Sequence, residues 1–140
     1  CFMESFKDIE DKPALILKTS SATFSIKERE NMRRKIEELT KGYDNPPSVY
    51  LLFGELTNQE MNELYNHPKI KSMVSITKGE GFGRPLLEFS MTGKPIIASN
   101  WSGHKDFLPM DKAIMIGGSL TDVHESAADS FILKGSKVFC

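Results

Sequence analysis

Short apolar runs that alternate with helical stretches constrain this chain more than any other feature in it. Ala14-Leu15-Ile16-Leu17 and Val49-Tyr50-Leu51-Leu52-Phe53 have the length and continuous apolarity of strands buried on both faces. Ile70 to Thr77 contains a third strand, and Pro95 to Ser99 and Ala113 to Ile116 supply two more. Between Ile26 and Tyr43, apolar Met32, Ile36, Leu39 and Tyr43 step at helical spacing, while Lys27, Glu28, Arg29, Glu30, Arg33, Arg34, Glu37 and Glu38 form a solvated face. Gly42 and Asn45-Pro46-Pro47 end that helix. Thr57 and Glu60 make a capping box for a helix carrying Met61, Leu64 and Tyr65, which stops before His67-Pro68. A further helix runs to Met91, and a short turn or helix lies near Gly103 to Leu108. This alternation predicts an α/β fold: a doubly wound, mainly parallel, Rossmann-like sheet with helices on both faces. The tail from Gly117 to Cys140 has the weakest pattern, with Asp129 to Leu133 placed to continue a helix begun near Thr121.

A chain of 140 residues suits one domain with a real core and no need of disulfide or metal staples. Its formal net charge of -1, with signs interspersed, gives no basic face for nucleic acid and no polybasic membrane patch. No apolar run has the length of a membrane span and no signal-peptide pattern opens the chain, so a cytoplasmic protein is expected. The two cysteines, Cys1 and Cys140, stand at the ends, offer no metal spacing and are expected on frayed termini. A reducing cytosol argues against a bridge between them.

The chemistry is expected in Lys78-Gly79-Glu80-Gly81-Phe82-Gly83-Arg84-Pro85-Leu86-Leu87-Glu88, which links the third strand to a helix. Gly79, Gly81 and Gly83 let the backbone adopt positive φ and approach a ligand closely. Pro85 suits a first helical turn, where free N–H groups attract an anion. The turn falls at the carboxyl end of a strand, where open α/β sheets bind their ligands. It is not the dinucleotide fingerprint, because counting from Gly79 the third glycine position holds Arg84. A nicotinamide or flavin enzyme is therefore disfavoured. Amides for phosphate and carboxylates for hydroxyls together suggest a sugar nucleotide.

Glu80 and Glu88, with seven residues between them inside EGFGRPLLEFSMTGKPIIASNWSG, resemble the paired-glutamate region of retaining glycosyltransferases of the GT-B fold, family 4 or group 1. The similarity runs from about Val49 to Leu108 and includes Gly93-Lys94-Pro95 and Ile96-Ile97-Ala98-Ser99. It implies the C-terminal, donor-binding half of an enzyme that moves a sugar from a nucleotide diphosphate sugar to an acceptor. No metal is needed in that mechanism, and no cofactor beyond the donor itself. An N-terminal acceptor domain is the expected partner, because 140 residues cannot hold both halves. Residues 1–140 would then form one nucleotide-sugar-binding domain that lacks the acceptor domain and its own first β-α unit.

By this resemblance Glu80 faces the donor sugar and the reacting centre, and Glu88 accepts hydrogen bonds from the ribose hydroxyls. Two plainer readings stand beside these: Glu80 as a carboxylate favoured by the helix dipole, and Glu88 as an i,i+4 partner of Arg84. Gly81, Phe82 and Gly83 would give backbone N–H groups to sugar and phosphates, and Leu86 and Leu87 would add helix-start amides. Phe82 is equally placed to plug the core beneath the loop. Ser102-Gly103 would form another pocket wall, and His104 would touch the donor or sit in a surface loop. The basic clamp that the leaving diphosphate needs has no clear counterpart, and Lys18 and Lys78 are the candidates to stand in. Two other readings share the architecture: a non-catalytic flavodoxin-like binding module and a sugar-nucleotide epimerase.

Overall fold

Each predicted apolar run does become a strand, though the first two, expected to be buried on both faces, contain no buried residue. The structure is a computed structural model that describes residues 2–19, 26–108, 111–123 and 137–140. In chain order the elements are α1 (Phe2–Phe6), β1 (Leu15–Thr19), α2 (Ile26–Thr40), β2 (Val49–Phe53), α3 (Asn58–Asn66) and β3 (Met73–Ser75). After them come α4 (Arg84–Ser90), β4 (Ile96–Ser99), a 3-10 turn (Gly103–Asp106), β5 (Ala113–Ile116), β6 (Leu120–Asp122) and β7 (Lys137–Phe139). The class is mixed α/β with parallel strands, as the alternation requires. The chain divides into two compact units, Cys1–Asn58 and Gln59–Cys140.

In the first unit β1 and β2 pair in parallel from Leu15 opposite Val49 to Thr19 opposite Phe53. Backbone bonds from Leu15 to Ser48 (2.9 Å) and from Gly54 to Thr19 (3.0 Å) extend the ladder at both ends. Helix α2 carries the expected charged face, with Arg33 between Glu30 (3.6 Å) and Glu37 (3.3 Å). Its apolar stripe is weaker than the spacing predicts, because Leu39 is 70% exposed and no α2 residue is buried. Helix α1 has no counterpart in the sequence reading. It is tied down by a tilted contact of the Phe2 and Phe6 rings, 5.0 Å apart at 53°, and by Glu4, which accepts from Lys7 and from the Tyr43 hydroxyl. The Lys7 and Tyr43 donors hold the exposed Glu4 carboxyl below its ordinary pKa.

In the second unit β3, β4 and β5 form a parallel ladder in that order. One face packs on helix: Leu86, Phe89, Ile96, Ala98, Leu108 and Ala113 make the core, with Tyr65, Ile70, Met73, Phe107 and Met115 against it. Across the other face the register aligns Val74, Ile97 and Ile114 in one row. Val74 is 52% and Ile114 62% exposed, so among the described residues this apolar face is uncovered. Helix α3 begins directly after Thr57, the expected N-cap, and α4 follows Gly83, whose φ of 83° makes it a left-handed cap. The tail departs from expectation. Thr121 lies in β6, which pairs antiparallel with β7, so no helix begins there; Asp129 to Leu133 lie outside the described residues. Cys140 is a free, exposed thiol, yet its end is not frayed: its backbone exchanges two hydrogen bonds with Ser119, at 2.8 and 3.0 Å.

Candidate functional site

Two loops leave neighbouring ends of β3 and β4, and a run of short polar bonds fastens one to the other. The register of the parallel ladder brings the carboxyl ends of these strands together, so the glycine turn and the loop from Asn100 to Gly103 leave on the same side. Ser99 donates its hydroxyl to the Thr77 carbonyl at 3.0 Å. Thr77 in turn closes a tight side-chain turn, donating to the Gly79 carbonyl (2.7 Å) and accepting from the Gly79 amide (3.2 Å). Glu80 is then held three times: its amide donates to Ser102 Oγ (2.9 Å), and its carbonyl accepts from Ser102 Oγ (2.5 Å) and from the Gly103 amide (3.1 Å).

Two close approaches explain why glycines stand where they do. A Cβ on Gly103 would lie 1.8 Å from the Gly81 carbonyl oxygen, so only a residue without a side chain lets the loops pass. A Cβ on Gly83 would stand 3.1 Å from His104 Cβ and 3.2 Å from Glu80 Cγ, at a positive φ as well. His104 is fully buried rather than placed in a surface loop, and its Nε2 lies 2.7 Å from the Ser99 carbonyl. With Nε2–H donating there, Nδ1 is left buried and without a hydrogen bond. Ser102 takes φ 80° and ψ −171°, a region almost reserved for glycine.

The Glu80 carboxylate itself has no hydrogen-bond or ion-pair partner among the described residues; the bonds to Glu80 all go to its backbone. The amides of Gly81, Phe82 and Gly83 likewise make no hydrogen bond there. This combination, a fixed backbone with a free acid and free donors, can accept from hydroxyls and give to anions. Glu88 sits one turn into α4, and its Oε1 accepts from Arg84 Nε at 2.6 Å, the plainer of its two expected partners. Burial, and after it the Glu88 charge, raises the Tyr65 phenol above its ordinary pKa.

Several expectations change. The Leu86 and Leu87 amides both donate to the Gly83 carbonyl, at 2.9 and 3.1 Å, so they are not open to a ligand, and Leu86 is core. Phe82 is 56% exposed and tilts against Phe107 at 5.2 Å instead of plugging the core. Lys78 is exposed and has no partner among the described residues. Lys18 belongs to the other unit, where its ammonium donates to the Gly54 carbonyl at 2.5 Å. Ser102 and Gly103, expected as another pocket wall, meet the glycine turn through its backbone. Thr77, Ser99 and Tyr65 read in sequence as ordinary strand or helix content, with no signal there of a part in this site. Among the described residues no three His, Cys, Asp or Glu side chains converge as metal ligands would, and no helix is long and apolar enough to cross a membrane.

A family model described as "Glycosyl transferases group 1" matches residues 2–132. No curated protein and no solved structure matches the chain.

Proposed function

The chain belongs to the group 1 glycosyltransferases, which transfer sugar from a donor, and from that premise we propose that it is the donor-binding half of a retaining GT-B enzyme of family 4. The donor is a nucleotide diphosphate sugar and no separate cofactor takes part. In transfer the bond from the anomeric carbon to the diphosphate oxygen breaks, the diphosphate leaves with the electron pair, and an acceptor hydroxyl forms the new bond and gives its proton to the departing diphosphate. Glu80 accepts from the sugar hydroxyls and stabilises positive charge on the anomeric carbon as that bond loosens. The Gly81, Phe82 and Gly83 amides donate to sugar and phosphate oxygens. Glu88 takes the ribose hydroxyls, its Oε2 being the oxygen that Arg84 leaves open. The observation that carries this reading is the unpartnered Glu80 carboxylate on a backbone held at three points.

Strand pairing supports the further proposal that the first β-α unit of the donor domain lies outside these strands. A doubly wound sheet of order 3-2-1-4-5-6 that loses its first strand keeps one ladder of strands three and two and another of strands four, five and six. The described parallel ladders, β2-β1 and β3-β4-β5, have that pairing. The basic clamp for the diphosphate is then expected on that unit, since Lys18 is engaged with the Gly54 carbonyl.

Calorimetric titration of the full-length protein with UDP, GDP, ADP and their hexose conjugates tests the assignment. Glu88→Ala should weaken nucleotide binding by about 1.5–3 kcal/mol, the range for hydrogen bonds to charged groups. Arg84→Ala, which removes an exposed ion pair, should cost no more than about 1 kcal/mol. Glu80→Gln should abolish turnover and leave donor binding intact. Wild-type affinity in Glu88→Ala, or full activity in Glu80→Gln, rejects the respective role.

A further inference from the structure

Ser102 is the only non-glycine residue with positive φ among the described residues, and its φ 80°, ψ −171° is a conformation that costs free energy for any side chain with a Cβ. Such a conformation persists only where surrounding contacts enforce it. Here the contacts are visible. The one hydroxyl of Ser102 both accepts from the Glu80 amide and donates to the Glu80 carbonyl, and the following Gly103 amide reaches the same carbonyl. Glycine at position 102 would adopt the backbone without strain but supplies no hydroxyl. Serine is therefore the residue that gives up local stability for a hold on Glu80.

We infer that Ser102, with Gly103 behind it, is a positioning residue for the Glu80 carboxylate: it touches no substrate and acts by fixing the backbone that carries the acid. The inference rests on the role of Glu80 proposed above, but the clamp itself is measurable without it. It also redirects Ser102 and Gly103 from donor contact to loop fixation. Proper orientation of a reacting group is worth a great deal, since a shift of about 1 Å can cost roughly 100-fold in rate.

The test compares Ser102→Gly with Ser102→Ala in the full-length protein by thermal melting, amide hydrogen exchange and donor kinetics. Ser102→Gly relieves the strain, so its Tm should equal or exceed the wild type, whereas Ser102→Ala keeps the strain, loses the bonds and should melt lower. Exchange of the Glu80 amide should accelerate about tenfold or more in both, because its acceptor is gone. With UDP-, GDP- or ADP-hexose as donor, kcat should fall about 10- to 100-fold in both variants with donor KM nearly unchanged. A loss of kcat that accompanies a gain in Tm is what a merely structural role does not produce. Wild-type exchange at Glu80 in Ser102→Gly overturns the clamp, and wild-type kcat with accelerated exchange overturns the positioning role. If the wild-type protein itself transfers no sugar from any of these donors while exchange still accelerates, the clamp stands and the transferase reading falls.

Discussion

Gly103, expected in a wall of the donor pocket, is held to glycine by packing of backbone on backbone. Its sequence signal, a Ser-Gly pair after a strand, was legible, but the reason was not, because the Gly81 carbonyl that forbids a Cβ lies 22 residues away from it in sequence. Gly103→Ala should therefore lower stability by about 1–3 kcal/mol, the usual cost of forcing atoms into filled space, and a thermal melt reads it directly. An unshifted Tm would mean that the loops separate freely. Glu80 and Glu88 stand out in the sequence only with the glycines, Pro85 and the strand Ile96-Ile97-Ala98-Ser99 around them, because two glutamates at that separation are common by chance. The loss of Leu86 and Leu87 as donors was not legible, because which amides a cap consumes depends on the φ of Gly83. Tyr65 adds a pH signature. Its phenol is raised by burial and by Glu88, so the folded state holds that proton more tightly than the unfolded chain does. The stability it contributes is complete below the unfolded pKa of about 10 and is lost as pH rises through the folded value. Tyr65→Phe should flatten the alkaline limb of the stability curve above about pH 10, and an identical limb in denaturant titrations would refute the assignment.

Elements differ in how plainly they announce themselves, and length explains most of the difference. The helix after Gly83 and the strand after Gly93-Lys94-Pro95 are bounded by residues with firm backbone preferences, and both were placed to within a residue or two. Helix α1 spans five residues, and β6 and β7 three each, too few for any period to show. Their stability comes from distant partners: Tyr43 for α1, and for β6 its pairing with β7. Lys94 enters the sequence reading only as part of Gly93-Lys94-Pro95, yet its ammonium donates to the Tyr65 carbonyl at 2.6 Å and the His67 carbonyl at 2.8 Å, closing the C-terminal end of α3. Lys94→Met should cost about 1–3 kcal/mol, seen as a lower urea midpoint with an unaltered m-value. A midpoint equal to that of the wild type would show that water satisfies those carbonyls as well.

For the molecule as a whole, the alternation of strands and helices gave the class, but it could not reveal which strand pairs with which. That information resides in hydrogen bonds between residues far apart, such as Leu15 with Val49 and Ile96 with Ala113. The row of Val74, Ile97 and Ile114 is apolar like a buried sheet face, though parallel sheets are ordinarily covered on both sides. If a further β-α unit completes the donor domain, a longer version that includes it should bind less of an environment-sensitive apolar dye and melt higher than residues 1–140 alone. Equal dye binding and equal Tm would dismiss that completion. The second unit also holds the chain's single tryptophan, Trp101, stacked on Phe139 at 5.5 Å and 5° and joined directly to Ser102. Excited selectively at its red edge, the protein thus emits from one indole attached to the clamp. Its colour and quenching give an optical record of what the two loops do, with no label to attach.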